Sequence, residues 1–349
     1  MFSEPFTDPS QTGDFFIAFL GIFLEGAPYI FIGTLISGII DAYLPPGMLD
    51  RLLPKNRAGA IFLSGFLGLI FPVCECAIVP VIRRLVQKGL PVSCAITYML
   101  SAPIINPIVI YSTYSAFNGT GVVGGWYMTF SRLGIAYIVA VLVGFVVQRF
   151  SMKSILSDRV LEGIDEKHHD HSENEKVEKV EKVEKVEKVE QSKADEHKAH
   201  DHAPKKKGGS KLVHAMRTAQ RDLLDTGMYF TIGVLITALY RSQIKRDAID
   251  HLAQNDFVGV PMMMVLAFIL SLCSTSDAFI AAQMVFSAAA RQAFLVFGPM
   301  MDVKLVFMYA VVFRKKFVVL MVIGLFFLIA ALCMMWGQTV PMIEPNLNP

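Results

Sequence analysis

Apolar residues run along this chain in long blocks bounded by charge, proline and glycine. A helix crossing hydrocarbon needs about 20 mostly apolar residues. Blocks near that length lie at 15–40, 58–73, 75–88, 92–117, 126–148, 223–241, 257–273, 277–290, 292–313 and 317–337. Four of them are short or interrupted for complete spans. The pair 58–73 and 75–88 is joined through Pro72-Val73-Cys74-Glu75-Cys76, and the pair 257–273 and 277–290 through Cys273-Ser274-Thr275-Ser276-Asp277. Each pair predicts a broken or re-entrant helical hairpin.

The blocks also repeat. Glu25-Gly-Ala-Pro-Tyr29-Ile-Phe-Ile-Gly33-Thr-Leu35-Ile36 aligns without a gap on Asp225-Thr-Gly-Met-Tyr229-Phe-Thr-Ile-Gly233-Val-Leu235-Ile236, and Ala102-Pro103-Ile-Ile-Asn106 on Gly298-Pro299-Met-Met-Asp302. The two cysteine-bearing breaks fall between these landmarks, so the order is the same in both halves, as an internal duplication requires. The expected fold class is therefore all-α: a polytopic membrane protein of two repeats, each with about three spans plus a broken or re-entrant hairpin. That makes roughly eight to ten membrane helices. Residues 1–150 form the first membrane repeat, 151–211 a charged His-rich linker and 212–349 the second repeat.

Charge sets the orientation. Lysine and arginine in short loops favour the cytoplasm. With both hairpins re-entrant, Arg51, Lys55, Arg57, Arg83, Arg84, Lys88, the linker and Arg314-Lys315-Lys316 share one side, and only Lys245, Arg246 and Arg291 dissent. Both termini then lie outside, the linker is cytoplasmic, and the halves have opposite orientations, the inverted-repeat plan of many secondary transporters. The expected location is the cytoplasmic membrane, multi-pass. The N-terminal MFSEPFTDPSQTGD carries no Lys or Arg, so residues from 15 onward are expected to be a retained membrane helix rather than a cleaved signal.

Composition agrees. The 349 residues are 54% hydrophobic and 18% charged, against about 25% charged in ordinary globular chains. Between Arg149 and Asp222 lie 33 of the 62 charges, which leaves the rest of the chain nearly uncharged. A net charge of +2, with the linker's lysines interleaved with acids, disfavours a nucleic-acid partner. The linker holds His168, His169, His171, His197, His200 and His202 around five Glu-Lys-Val units from Glu175 to Val189. It lacks the apolar residues for a core. It is either a solvated spacer or a collector of divalent metal, a labile Zn²⁺ site, since neutral imidazole is a preferred zinc ligand.

Cys74-Glu75-Cys76 is the most informative triplet. A carboxylate inside an apolar block is costly and usually faces a cavity, a partner or a pathway. In extended backbone Cys74 and Cys76 would share one face, and Pro72 and Pro80 favour local unwinding. Two thiols beside a cavity suit a soft ion or a metalloid. Alternatively the cysteines are small buried hydrophobes and Glu75 caps the second half-helix. Asp277, after three hydroxyl residues, reads equally as a helix N-cap or a pathway residue. If the hairpin tips meet, Cys74, Glu75, Cys76, Cys273, Ser274 and Asp277 converge on one central site. Asn106 and Asp302 follow prolines at the second pair of discontinuities and either satisfy backbone or face that site. The spacing excludes a simple helical i,i+4 pair between Asp302 and Lys304. Glu25 and Asp225 are expected to cap the ends of their spans, with proton coupling the alternative.

Phe71-Pro-Val-Cys74-Glu75-Cys76-Ala-Ile-Val-Pro80-Val, Arg83-Arg84-Leu-Val-Gln-Lys88-Gly89, Ser101-Ala-Pro103-Ile-Ile-Asn106-Pro107 and Cys273-Ser-Thr-Ser-Asp277-Ala-Phe together resemble the ArsP-like predicted permease family, over roughly 12–150 and 212–338. The resemblance implies an integral membrane permease and, in the arsenical branch, export of trivalent organoarsenicals through cysteine thiols. Ala77 stands where that family's pattern expects Gly, and Glu75 separates the cysteines.

The expected function is thus a permease, not an enzyme, exporting a thiophilic metal ion or a metalloid by secondary transport, with Glu75 or Asp277 as proton carrier and no cofactor required. Partners are the bilayer, a small inorganic or organometalloid substrate, and either a further copy of the chain or an unidentified membrane subunit. No phosphate-binding Gly-x-x-x-x-Gly-Lys-Ser/Thr loop occurs. The rivals are a membrane metal sensor using the linker and an intramembrane thiol oxidoreductase.

Overall fold

A computed structural model describes residues 9–44, 54, 56–71, 73–118, 124–157, 160, 208–243, 256–284 and 286–343. Its described residues are almost entirely helical, as apolar blocks in a solvent without water must be, because the helix satisfies its own backbone. The first half runs α1 (Pro9–Tyr43), α2 (Arg57–Gly65), α3 (Leu67–Ile70), α4 (Glu75–Gln87), α5 (Val92–Ser101), α6 (Pro107–Phe117), α7 (Gly125–Val147) and the single turn α8 (Met152–Ile155). The second runs α9 (Gly208–Gln243), α10 (Asp256–Leu270), α11 (Ser276–Gln283), α12 (Ala288–Met300), α13 (Val303–Val312) and α14 (Lys315–Ile343). A long helix, a helical stretch interrupted at a cysteine, two short helices and a long helix therefore occur twice in the same order among the described residues.

Among the described residues five helical stretches are long and apolar enough to cross a membrane: Phe15–Tyr43, Gly125–Val147, Ala215–Tyr240, Ala288–Val312, which joins α12 and α13, and Lys315–Thr339. The chain is a multi-span membrane protein. The block at 92–117 is two helices, divided at the discontinuity that Pro103 and Asn106 mark in the sequence. Its backbone leaves the helix at Ala102–Ile105, where Pro103 has no N–H to donate. Asn106 then starts α6 in extended geometry (φ −132°, ψ 130°), its side chain accepting the Ile108 N–H at 3.0 Å. The block at 292–313 breaks at the matching place, after Pro299, and Asp302 caps α13 by accepting the Leu305 N–H at 2.7 Å.

α1 and α9 form a long pair. Gly26 meets Phe230, Ser37 meets Asp222, Gly38 meets Ala215 and Ala219, and Asp41 meets Thr218. Residue numbers fall on α9 as they rise on α1, so these two helices of matching sequence are antiparallel. α4 packs along α1, and α13 along α9. In both contacts a glycine lets backbones touch: a Cβ on Gly33 would lie 2.7 Å from the Ala77 carbonyl oxygen, and one on Gly233 2.7 Å from Lys304 Cα. The interior is built on α5 and α12, whose residues are buried almost throughout, with α2, α7, α10 and α14 around them. Leu24, Phe31 and Ile39 on α1, Phe130 and Ile138 on α7, and Leu320 and Phe327 on α14 are exposed on the outer surface, as an apolar solvent allows.

The boundary residues 151–157, expected to belong to the linker, are instead docked. Leu156 bridges Phe313, Ser157 N–H donates to the Val312 carbonyl at 3.0 Å and Arg314 N–H to the Ile155 carbonyl at 2.9 Å. The second half's first helix likewise begins at Gly208 rather than at 212. His168, His169, His171, His197, His200 and His202, and with them the zinc reading, lie outside the described residues.

Candidate functional site

Two helix breaks from the two halves, at Cys74 and at 271–275, meet. α4 begins at Glu75 directly after Cys74, whose extended backbone (φ −74°, ψ 166°) is the N-cap and makes no side-chain cap bond. α11 begins at Ser276 after the unwound stretch 271–275. The tips touch through Ser274, whose hydroxyl donates to Glu75 Oε2 at 3.4 Å. Glu75 is 1% exposed. It does not cap its own helix, the alternative considered from sequence; its carboxylate faces the other half.

There it meets Lys304. The ammonium donates to the carbonyl oxygens of Ser271 at 2.7 Å and Leu272 at 3.3 Å. It lies 3.0 Å from Asp302 Oδ2 and 3.8 Å from Glu75 Oε1. Asp302 and Lys304 pair although two residues apart, because Asp302 stands in extended backbone before α13 begins. Helical spacing excludes only an i,i+4 pair between them, which is not the pair that forms. Asp302 is thus both a cap, through Oδ1, and an ion-pair partner, through Oδ2. Asn106, its counterpart, is a cap and carries no charge.

Arg132 of α7 closes the other side. It is fully buried and donates to Thr113 Oγ1 at 2.6 Å, to the Ser274 carbonyl at 3.1 Å and to the Leu295 carbonyl at 3.2 Å. One guanidinium therefore ties α6, α7, α12 and the second tip. Asp277, in the first turn of α11, is 2% exposed, and its Oδ2 has no hydrogen-bond partner. The N-cap is Thr275, without a side-chain cap bond. The capping role expected for Asp277 is therefore not the one its Oδ2 plays.

Between the tips and the α1/α9 pair lies a small cavity, about 10 Å³ in free volume, lined by Ile22, Glu25, Gly26, Tyr29, Cys74, Glu75, Cys76, Phe230, Cys273 and Lys304. That is about the room of a single water molecule, so the site as it stands admits nothing larger. Glu25 sits in the middle of α1, not at its end as expected, and its Oε1 accepts the Ser276 hydroxyl at 2.9 Å. All five cysteines are free thiols; Cys74 and Cys273 are half-buried at the cavity and Cys76 is buried. Because the helix already starts at Glu75, Cys74 and Cys76 do not share the extended stretch inferred from sequence. Among the described residues no group of three or more His, Cys, Asp or Glu side chains is placed to hold a metal ion.

A second polar cluster lies at the far end of α4. Arg84 holds Asp222 with two nitrogens, at 2.9 and 2.7 Å, and Ser37 donates to Asp222 at 2.7 Å. Arg83 pairs with Asp225 at 3.4 Å, and Lys88 with Asp41 at 3.5 Å. Asp225, matched to Glu25 in sequence, thus serves this junction rather than the cavity. A larger cavity of about 590 Å³ lies beyond the α4/α5 turn, among Arg57, Pro91, Cys94, Gln148, Phe150 and Met152. It is remote from both tips.

Of the residues singled out from sequence, Cys74, Glu75, Cys76, Cys273, Ser274, Asp277 and Asp302 gather around the tips, whereas Asn106 stays a cap. Lys304, Arg132 and Glu25 complete the cluster. The signal for the first two was present: each is a lone cation within an apolar block, which marks function in a membrane segment.

A model of a family described as a predicted permease matches residues 11–338. A protein of Streptococcus mutans named as a two-component membrane permease complex subunit is 34% identical over 317 residues, covering 89% of this chain and 90% of that one. The UPF0718 protein YcgR of Bacillus subtilis is 36% identical over 306 residues, 87% of this chain and 90% of its own. An archaeal UPF0718 protein of Methanocaldococcus jannaschii is 30% identical over 76 residues, 22% of this chain and 21% of its own. No solved structure matches.

Proposed function

The chain belongs to this predicted permease family, and from that premise we propose that it is a secondary transporter, not an enzyme, whose substrate passes between the two hairpin tips. One observation carries the assignment. Two broken helices from opposite halves meet at a small cavity lined by carboxylates, a lysine and thiols. Charged groups at membrane depth mark pathways, and discontinuous helices meeting at a repeat interface form transporter sites. The antiparallel α1 and α9, with matching sequences, and the matching caps Asn106 and Asp302 support an inverted repeat.

The substrate class follows from the cavity wall. Cys74, Cys76 and Cys273 present soft sulfur donors, so the cargo is a thiol-seeking metal ion or metalloid, exported across the cell membrane with the linker on the cytoplasmic side. No resident cofactor is needed; the linker histidines would hold Zn²⁺ only loosely. Since a relative is named as a subunit of a two-component complex, a second membrane subunit is proposed to work with this chain.

Calorimetric titration tests the assignment, using the full chain with its six linker histidines replaced by alanine. It is titrated with Zn²⁺ and, separately, with a trivalent phenylarsenical. Stoichiometric binding that disappears in the Cys74→Ser, Cys273→Ser variant is the expected result. Binding by neither ligand, or binding indifferent to both substitutions, would remove the thiophilic substrate.

A further inference from the structure

Lys304 is held more elaborately than a lysine in a salt bridge needs. Four oxygens from three places surround its ammonium: the Ser271 and Leu272 carbonyls, Asp302 Oδ2 and Glu75 Oε1. The two carbonyls belong to the unwound end of α10. Ser271 is the one non-glycine residue with positive φ among the described residues, at 46°. That left-handed turn is costly for a side-chain-bearing residue, and it accompanies two helix-end carbonyls that face inward. Helix C-termini carry partial negative charge and favour cations. Carboxylates arrive from opposite halves, Glu75 from the first tip and Asp302 from the start of α13.

The ammonium lies 3.0 Å from Asp302 Oδ2, on a side chain that is fully buried. The backbone of Lys304 is also clamped, because Gly233 of α9 brings its own backbone against Lys304 Cα. The lysine is 3% exposed. Unwound carbonyls combined with carboxylates are the donor set with which transporters of inverted-repeat type hold Na⁺, and hard monovalent cations take oxygen ligands.

We propose that Ser271, Leu272, Asp302 and Glu75 form a monovalent-cation site that Lys304 fills from within the chain. The tethered ammonium replaces a dissolved coupling ion, so the two hairpin tips are held together without sodium or potassium. The proposal goes beyond the transport assignment and is read without any substrate, so its failure and a failure of that assignment are distinguishable.

The test is thermal melting of the purified full-length protein in detergent, at equal ionic strength in NaCl, KCl or choline chloride. Wild type is expected to melt at the same temperature in all three salts. Lys304→Ala is expected to melt lower in choline and to rise saturably with Na⁺ or K⁺. That rise should vanish in Lys304→Ala, Asp302→Asn. A Lys304→Ala protein that melts alike in all three salts would overturn the proposal, as would an equal salt response in the double variant. Should Lys304→Ala not be recovered, Lys304→Thr takes its place. Failure of both in sodium-rich and potassium-rich buffer also overturns it, since an ion able to occupy the site must restore the fold.

Discussion

Arg84 grips Asp222 across the α4–α9 contact with its Nε and one terminal nitrogen, 2.9 and 2.7 Å from the two carboxylate oxygens. Asp222 is 1% exposed and also accepts the Ser37 hydroxyl. One carboxylate thereby fastens α1, α4 and α9 together. Removing one partner of a buried pair leaves the other uncompensated, at about 3–5 kcal/mol. Asp222→Ala should lower the melting temperature markedly in detergent, and Arg84→Leu, Asp222→Leu should recover part of the loss. A double variant as unstable as the sum of the two single ones would show that the pair is not coupled.

Close backbone contact gives a second prediction. Gly33 and Gly38 of α1 lie against the backbones of Ala77 and Ala215, whereas Gly134 of α7 and Gly324 of α14 have open space where a Cβ would be. Small residues are what allow membrane helices to approach this closely. Gly33→Val and Gly38→Val should abolish recovery of folded protein, while Gly134→Ala and Gly324→Ala should gain slightly, by up to about 1 kcal/mol, because alanine suits a helix better than glycine. Monodispersity on size exclusion reads both. Equal tolerance of all four would mean that α1 does not pack on α4 and α9 as described.

The amino-acid sequence made the blocks and the two breaks legible, because apolar runs, prolines and cysteine-bearing interruptions are local signals. Two things depend on packing and are not legible there. Helical spacing separates Lys304 from Asp302, yet Asp302 lies outside the helix and pairs with it. Glu25 reads as an interfacial cap, and only the fold brings it to Ser276. Side-chain meetings across sequence separations of 199 or 251 residues, such as Ser274 with Glu75 and Ser276 with Glu25, have no local signature.

Arg132 supplies the third prediction. Its guanidinium donates to Thr113, Ser274 and Leu295 from a fully buried position. A methionine there keeps the bulk and removes the donors. The Ser274 and Leu295 carbonyls would each lose a charged donor, and hydrogen bonds to charged groups contribute about 1.5–3 kcal/mol. Arg132→Met should both destabilise the protein and weaken ligand binding at the tips, whereas Arg132→Lys should restore stability only in part, since a lysine cannot span three acceptors with a rigid fork. Binding unchanged in Arg132→Met, measured by the same titration with Zn²⁺ or phenylarsenical, would confine Arg132 to a structural role.

Asn106 and Asp302 stand at matching discontinuities and both cap a helix, Asn106 by accepting the Ile108 N–H and Asp302 by accepting the Leu305 N–H, yet one is neutral and one acidic. The neighbours explain the difference. Two residues beyond Asp302 lies Lys304, buried and turned toward its carboxylate. Two residues beyond Asn106 lies Ile108, 62% exposed on the outer surface. An acid at 106 would therefore cap α6 as well as asparagine does, but would stay unpaired at membrane depth, while an amide at 302 would keep the cap and lose the ion pair. Both Asn106→Asp and Asp302→Asn should lower the melting temperature, the first by an uncompensated charge and the second by depriving the lysine. Asn106→Ala should cost only the cap, about 1 kcal/mol. Adding Ile108→Lys to Asn106→Asp should give no rescue, because that side chain points to lipid rather than inward. A rescue would mean that the two halves are interchangeable at this position and that the buried lysine of the second is not specified by its surroundings.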